Sequence, residues 1–308
     1  MEEAKNRKLI VIGGPTASGK SHLAMLVARA IDSEVISADS MQAYKELEFI
    51  TFPPLEEMSL VSHHLAGFLD PEIEYNAAKF VELSRHIIDN LWRGNKTPIV
   101  CGGTGMYIKA LLNGMFEAKG DEVLRKQLYE EARIKGASLL YERLKEVDAS
   151  SAGKIHPNDV RRIVRALEVF FSTGKPISQW HAQSKGINDE AEVFFFCLMP
   201  DNRQWLKQRI ARRIDENITL KSLDQLKGIR NRLGKTAQKA IGVRELSMVL
   251  DNEISFHEAM ALMKKNTYQY ARRQMIWFRA QKQAILLDPS RSTPNELKEE
   301  ILNIVSEF

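Results

Sequence analysis

The stretch Gly13 to Ser21 reads GGPTASGKS and places Gly14, Gly19, Lys20 and Ser21 in the G-x-x-x-x-G-K-[ST] spacing of a P-loop. Such a loop does one kind of chemistry. Its backbone N–H groups, here those of Gly14, Pro15, Thr16, Ala17, Ser18, Gly19, Lys20 and Ser21 less the proline, surround a polyphosphate at a helix N-terminus. Lys20 adds a point charge and Ser21 offers a hydroxyl to Mg²⁺. The motif needs a strand before it and a helix after it. Leu9 to Ile12 is a short apolar run of buried-strand type, and Leu23 to Ile31 carries apolar residues at helical spacing, so both are supplied. The loop alone specifies a polyphosphate ligand and nothing about the reaction.

Further reactive side chains follow at the ends of apolar runs. Glu34 to Ser37 reads as a second strand ending in Ala38, Asp39 and Ser40, which puts a carboxylate at the edge where open α/β sheets bind ligands. That aspartate is a Mg²⁺ ligand, a general base or a helix cap. Pro98 to Cys101 is a third strand, and Gly102 to Gly105 makes a second glycine turn before a helix over 106–112. Thr104 in that turn either bonds a substrate or caps the helix. Between them, Gln42 to Leu69 lacks periodicity and reads as a long excursion over the mouth of the site. Its adjacent His63 and His64 do not have a usual metal-ligand spacing.

From Asp121 to about Gln183 strand signals vanish, and helices are expected over 122–135, 137–147 and 158–172. In the last, Arg161, Arg162 and Arg165 border an apolar face of Ile163, Val164, Leu167 and Val169, which suits either phosphates or plain solvation. Val193 to Met199 returns to a buried strand. A helix over 205–218 brings Arg209, Arg212 and Arg213 together, close enough that one could clamp a phosphate. A Lys-rich linker leads to Ala240 to Glu245, then to a long helix over 256–280 with a second basic surface of Lys264, Lys265, Arg272, Arg273 and Arg279. A last strand over 284–287 and a closing helix over 294–305 complete the chain.

The expected organisation is α/β, with a parallel sheet flanked by helices and a helical insertion: 1–114 and 189–308 form the core and 115–188 the insertion. The 308 residues carry 44 Lys+Arg against 40 Asp+Glu, a net charge of +4, so nucleic-acid binding would rest on local basic patches. Cys101 and Cys197 lie in apolar runs and read as core residues of a reducing compartment. The charged start MEEAKNRK reads as neither a signal peptide nor a membrane span, and a cytoplasmic monomer with no membrane partner is expected.

The motifs in order resemble those of the tRNA dimethylallyltransferases, also called tRNA isopentenyltransferases. They are GGPTASGKS at 13–21, ISADSMQAY at 36–44, HHL at 63–65, PIVCGGTGMYIKALL at 98–112, IHPNDVRRIVRALEVF at 155–170, TGKPIS at 173–178, AIGVRE at 240–245 and YARRQMIWFR at 270–279. The resemblance implies a P-loop NTPase-like fold and, with Mg²⁺, transfer of a dimethylallyl group from dimethylallyl diphosphate to N6 of the adenosine 3′ of the anticodon in tRNA. It implies that the P-loop holds the diphosphate leaving group, with Arg213 as its arginine and Ser21 on Mg²⁺. It further implies Asp39 as general base, Thr104 as a contact to the target nucleotide, and Asp39, Ser40, Met41, Gln42, Thr104, Arg161, Arg162 and Arg165 as tRNA contacts. The chain departs from the family pattern after Tyr44, where G-L-D-I-G-T-A-K-P is replaced by Glu46 to Pro54 (ELEFITFPP), which bears on acceptor fit or turnover more than on donor binding. Rival readings are a P-loop small-molecule kinase, which leaves the basic insertion without a task, an adenylate isopentenyltransferase acting on free AMP or ADP, and a non-catalytic tRNA-binding relative.

Overall fold

A computed structural model describes residues 7–116 and 120–306. The first six residues, on which the reading of the amino terminus partly rests, lie outside them. Contacts divide the chain into one unit of 1–112 with 190–308 and a second of 113–189.

In the first unit, β1 (Lys8–Gly13) runs into the P-loop and α1 (Lys20–Ala30). After β2 (Val35–Ser37) come two short helices, α2 (Glu48–Thr51) and α3 (Leu55–Leu60). A two-residue strand β3 (His63–His64) follows, then α4 (Ala77–Arg93), β4 (Ile99–Gly102) and α5 (Gly105–Asn113). The second unit is helical: α6 (Glu122–Lys135), α7 (Ala137–Val147), α8 (Ala149–Ala152), α9 (Val160–Thr173) and α10 (Ile177–Gln183). The first unit resumes with β5 (Glu192–Leu198), α11 (Arg203–Asn217), α12 (Leu220–Ile229), α13 (Val243–Leu250), α14 (Phe256–Arg279), β6 (Ile285–Leu287) and α15 (Pro294–Ser306). No helix among the described residues is long and apolar enough to cross a membrane.

The six strands form one parallel sheet in the order β3-β2-β4-β1-β5-β6. Strands buried on both faces must be apolar throughout, which is why β1 and β5 read as unbroken runs. Ile10, Ile12, Phe196 and Leu198 pack with Leu23, Val27, Leu297 and Ile301 of α1 and α15, while Phe195 meets Phe278 of α14 edge-on with ring centroids 6.4 Å apart. Register places Ser37 beside Cys101 and Gly13 beside Gly102, so the carboxyl ends of β2, β4 and β1 finish level with one another. Three loops therefore leave one sheet edge side by side.

The expected elements are present with ends shifted by up to three residues, and besides the short helices α2, α3, α8 and α10 the reading missed β3, α12 and α13. β3 is too short to carry a period. α12 begins with a reciprocal Thr219–Ser222 capping box, and α13 lies beyond the expected Lys-rich linker. Cys101 and Cys197 are free and buried, and burial pushes each thiol up to about 12.

The second unit has its own core of Leu128, Leu140, Leu144, Ile163, Val164 and Leu167. Asp159 caps α9 by accepting the Arg162 N–H at 3.2 Å, and Gly174 ends it in the left-handed region. Glu168 is fully buried in this unit. It accepts from Arg125 at 2.8 and 3.1 Å and from the Asp121 N–H at 2.9 Å, and it pairs with Arg165 at 3.1 Å. Burial pushes its carboxyl up, but the hydrogen bonds of Arg125 and Arg165 outweigh this and hold it below the ordinary glutamate value. Glu168→Ala strands two arginines, and we expect it to cost about 2–3 kcal/mol in denaturant unfolding. Because the folded pKa is depressed, the loss is largest above the ordinary glutamate value and shrinks as pH falls through the lowered one.

Candidate active site

The P-loop is built for an anion. Gly19 caps α1 at φ +94°, a conformation that a side chain would strain, and no side chain occupies the cap, so the first amides of α1 remain available. Lys20 Nζ donates only to the Pro15 carbonyl, at 3.2 Å. Arg209 Nε donates to the Ala17 carbonyl at 2.9 Å with its guanidinium over Trp205, 4.7 Å from the ring centroid. Arg213 donates to Thr16 Oγ1 at 3.2 Å and to the Phe52 carbonyl at 2.5 Å. Among the described residues, no carboxylate forms an ion pair with Lys20, Arg209 or Arg213.

Burial pushes the pKa of all three cations down. For Lys20 the neighbouring Cys101 and Asp39 oppose this, and for Arg213 Asp39 does. Three cations held by carbonyls and a hydroxyl around one loop leave a positive potential that attracts a polyanion. Ser18, only 2% exposed, adds a buried hydroxyl oxygen with no hydrogen-bond partner. Ser21 lines a small cavity with Lys20, Ser37, Gln42, His63 and Cys101. Among the described residues no three His, Cys, Asp or Glu side chains are grouped to hold a metal. A single hard oxygen at a helix N-terminus suits Mg²⁺ completed by phosphate oxygens, and does not suit a metal caged by the protein.

The neighbouring loop carries Asp39, Ser40, Met41 and Gln42. Asp39 Oδ1 accepts the Met41 N–H at 2.9 Å and the Gln42 N–H at 3.2 Å, so the capping arrangement is present in a local turn. Oδ2 takes part in neither bond. Thr104 Oγ1 accepts the Ser40 N–H at 3.1 Å, and the Thr104 N–H donates to the Ala38 carbonyl at 3.1 Å. Thr104 thus ties the β4 loop to the β2 loop, and its side chain does not cap α5. Gln42 Nε2 reaches the carbonyls of Thr51 and Phe52 at 3.2 and 3.1 Å. Phe52 has φ +49°, and its ring lies under the Arg213 guanidinium at 5.2 Å.

The excursion over 42–69 is therefore a bracket for Gln42 and Arg213. Its histidines part company, as neighbours on a strand do. His64 Nε2 meets Glu34 at 2.6 Å, whereas His63 Nδ1 lies 2.8 Å from the Val61 carbonyl.

In the second unit, Arg161 and Arg162 are exposed. Arg162 pairs loosely with Asp159 at 3.2 Å, while Arg165 is drawn to Glu168. In the first unit, Lys264, Lys265 and Arg272 of the expected basic surface on α14 line a groove of about 440 Å³ with Lys207 of α11 and Tyr268, whereas Arg273 and Arg279 do not line it. Arg209 as a brace of the P-loop, and the α11 half of this groove, were missed by the sequence reading. The arginine cluster on α11 was their only signal.

The model of the IPP transferase family matches residues 42–281, and that of the isopentenyl transferase family matches residues 7–58. A tRNA dimethylallyltransferase of Caldanaerobacter subterraneus subsp. tengcongensis is 41% identical over 282 residues, 89% of either chain. The chain belongs to the tRNA dimethylallyltransferase family. A member from Geobacter metallireducens is 38% identical over 94% of either chain. Among solved structures, the full-length tRNA isopentenylpyrophosphate transferase of Bacillus halodurans superposes with a TM-score of 0.71 at 31% identity, covering 98% of this chain and 96% of that one. A eukaryotic dimethylallyltransferase acting on tRNA gives 0.75 at 30% identity, covering 92% and 74%. The expected P-loop NTPase-like fold is that of this family. The rewritten 46–54 segment sits where it supports Arg213 through the backbone of Phe52, so the tRNA dimethylallyltransferase pattern is altered here without moving the arginine away from the P-loop.

Proposed function

We propose that this transferase moves the dimethylallyl group of dimethylallyl diphosphate to N6 of the adenosine 3′ of the anticodon in tRNA, releasing diphosphate. The observation that carries the reading is the trio Lys20, Arg209 and Arg213, none of them ion-paired to a carboxylate among the described residues, around a P-loop in a chain of this family. The leaving group gains negative charge as the allylic C–O bond breaks, and fixed cations aimed at it lower that barrier. The P-loop amides and Ser18 hold the diphosphate. Ser21 would hold Mg²⁺, which would supply further charge neutralisation to the leaving group.

On the acceptor side, the N6 lone pair forms the new C–N bond while the C–O electron pair departs with the diphosphate, and the surplus N6 proton passes to Asp39. Thr104 and Ser40 hold the Asp39 loop in place for this. An adenosine must leave its stack to reach a loop at the sheet edge, so a flipped-out base is the bound form. Arg161 and Arg162 contact the RNA backbone. The same reading makes the protein a cytoplasmic enzyme acting as a monomer.

The test is incubation with Mg²⁺, labelled dimethylallyl diphosphate and unmodified tRNA with an A-rich anticodon loop, followed by the mass of the modified adenosine. Label in free AMP but not tRNA would reassign the acceptor. ATP turnover with a small acceptor would make it a kinase, and tRNA binding without transfer a non-catalytic relative. We further expect Arg162→Ala to weaken tRNA binding and to reduce the slope of log K against log salt by about 1. An unchanged slope would leave α9 a solvated face.

A further inference from the structure

Gln274 of α14 is only 5% exposed and lies between the two glycine loops of the active site. Its Oε1 accepts the Thr16 N–H of the P-loop at 2.9 Å, and its Nε2 donates to the Gly103 carbonyl at 2.9 Å. Both partners have fixed polarity, an N–H that only donates and a carbonyl that only accepts, so the amide has one orientation. The next turn of the same helix face continues the contact. A Cβ on Gly105 would lie 2.4 Å from the Trp277 ring, and one on Gly13 would lie 2.3 Å from the Phe278 ring. One face of α14 thus rests on the donor loop and on the acceptor loop together.

These contacts fix a distance. Thr16 also accepts from Arg213, and Thr104, next to Gly103, accepts from Ser40 beside Asp39. The only single side chain bonded to both loops among the described residues is Gln274. The Thr16 N–H is taken by this amide, which leaves the other P-loop amides to face phosphate. We propose that Gln274 is a positioning residue that sets the registry between the donor-holding P-loop and the acceptor-holding Gly103–Thr104 turn. It touches neither reacting group. Its loss leaves both binding surfaces in place and slackens the approach of N6 to the allylic carbon, an error to which rate is far more sensitive than affinity.

The inference rests on the transfer reading above, and the experiment separates the two. Gln274→Met keeps the length and removes both hydrogen bonds. Gly103→Ala leaves Gln274 intact but would place a Cβ 2.2 Å from its Nε2, displacing the amide from the other side. For both variants we expect single-turnover transfer at saturating donor and tRNA to fall about 10- to 100-fold. Kd for inorganic diphosphate and for tRNA, each measured alone, should stay close to wild type. Transfer at the wild-type rate, or a loss carried wholly by weaker binding of either ligand, would overturn the proposal. So would loss of the folded state in both variants, which would make the amide a structural prop. Absence of transfer by the wild-type protein would instead sink the transfer reading itself.

Discussion

Asp39→Asn is expected to lower the transfer rate by about 10²- to 10⁴-fold, the usual worth of a positioned general base, with tRNA affinity little changed. Asparagine suits this test because Asp39 Oδ1 accepts the Met41 and Gln42 N–H groups. An amide oxygen keeps both bonds, so the turn survives and only the capacity to take a proton is lost. Alanine removes the turn as well. Its larger effect, relative to asparagine, would measure how much of Asp39's contribution is architectural. Single-turnover transfer and filter binding with the same tRNA decide the matter. A large loss of tRNA binding in the asparagine variant would remove the case for Asp39 as base.

Lys20→Met should have the second large effect, a fall of about 10²- to 10³-fold in transfer, comparable to removing one donor from a preorganised anion site. A second signature runs the opposite way. Burial holds the Lys20 ammonium below the ordinary lysine value, and the nearby Cys101 and Asp39 only partly oppose it. The folded state therefore binds this proton less tightly than the unfolded chain does. Stability from this group rises with pH through the window between the lowered value and the ordinary lysine value. Below that window the buried ammonium is a liability, so the methionine variant should melt at a higher temperature than wild type at neutral pH. Inorganic diphosphate should raise the melting temperature of wild type and do so much less for the variant. A methionine variant that melts lower and still responds fully to diphosphate would contradict the account.

Much of the architecture was legible because long elements carry their period openly. β1, β5 and α9 follow directly from apolar runs or stripes, and the P-loop, Asp39 and Thr104 fall at the ends of such elements. What remained hidden was relational. Nothing local to Gln274 distinguishes it from other polar residues on a long helix, and its partners lie 258 and 171 positions away. Arg209 and Arg213 looked alike in sequence. Only the fold shows one bonded to the Ala17 carbonyl and the other to Thr16 and Phe52. Arg165 looked equivalent to Arg161 and Arg162, but it pairs with the buried Glu168 three residues further along α9. The segment over 46–54 read as a rewritten substrate contact, and its role in holding Arg213 runs through a backbone carbonyl, which side-chain identity cannot disclose.

The reliance of the P-loop on α14 also has a consequence for how the protein is made. Thr16 of the P-loop and the Gln274 that seats it stand 258 positions apart, so the motif leaves the ribosome long before the helix face from Gln274 to Phe278. Contacts of such separation form late and slow the search for the native state. A nascent chain halted before α14 carries the complete GGPTASGKS sequence without the support that shapes it. Capacity to bind diphosphate should therefore appear only once residue 278 has cleared the exit tunnel, long after the motif that names it.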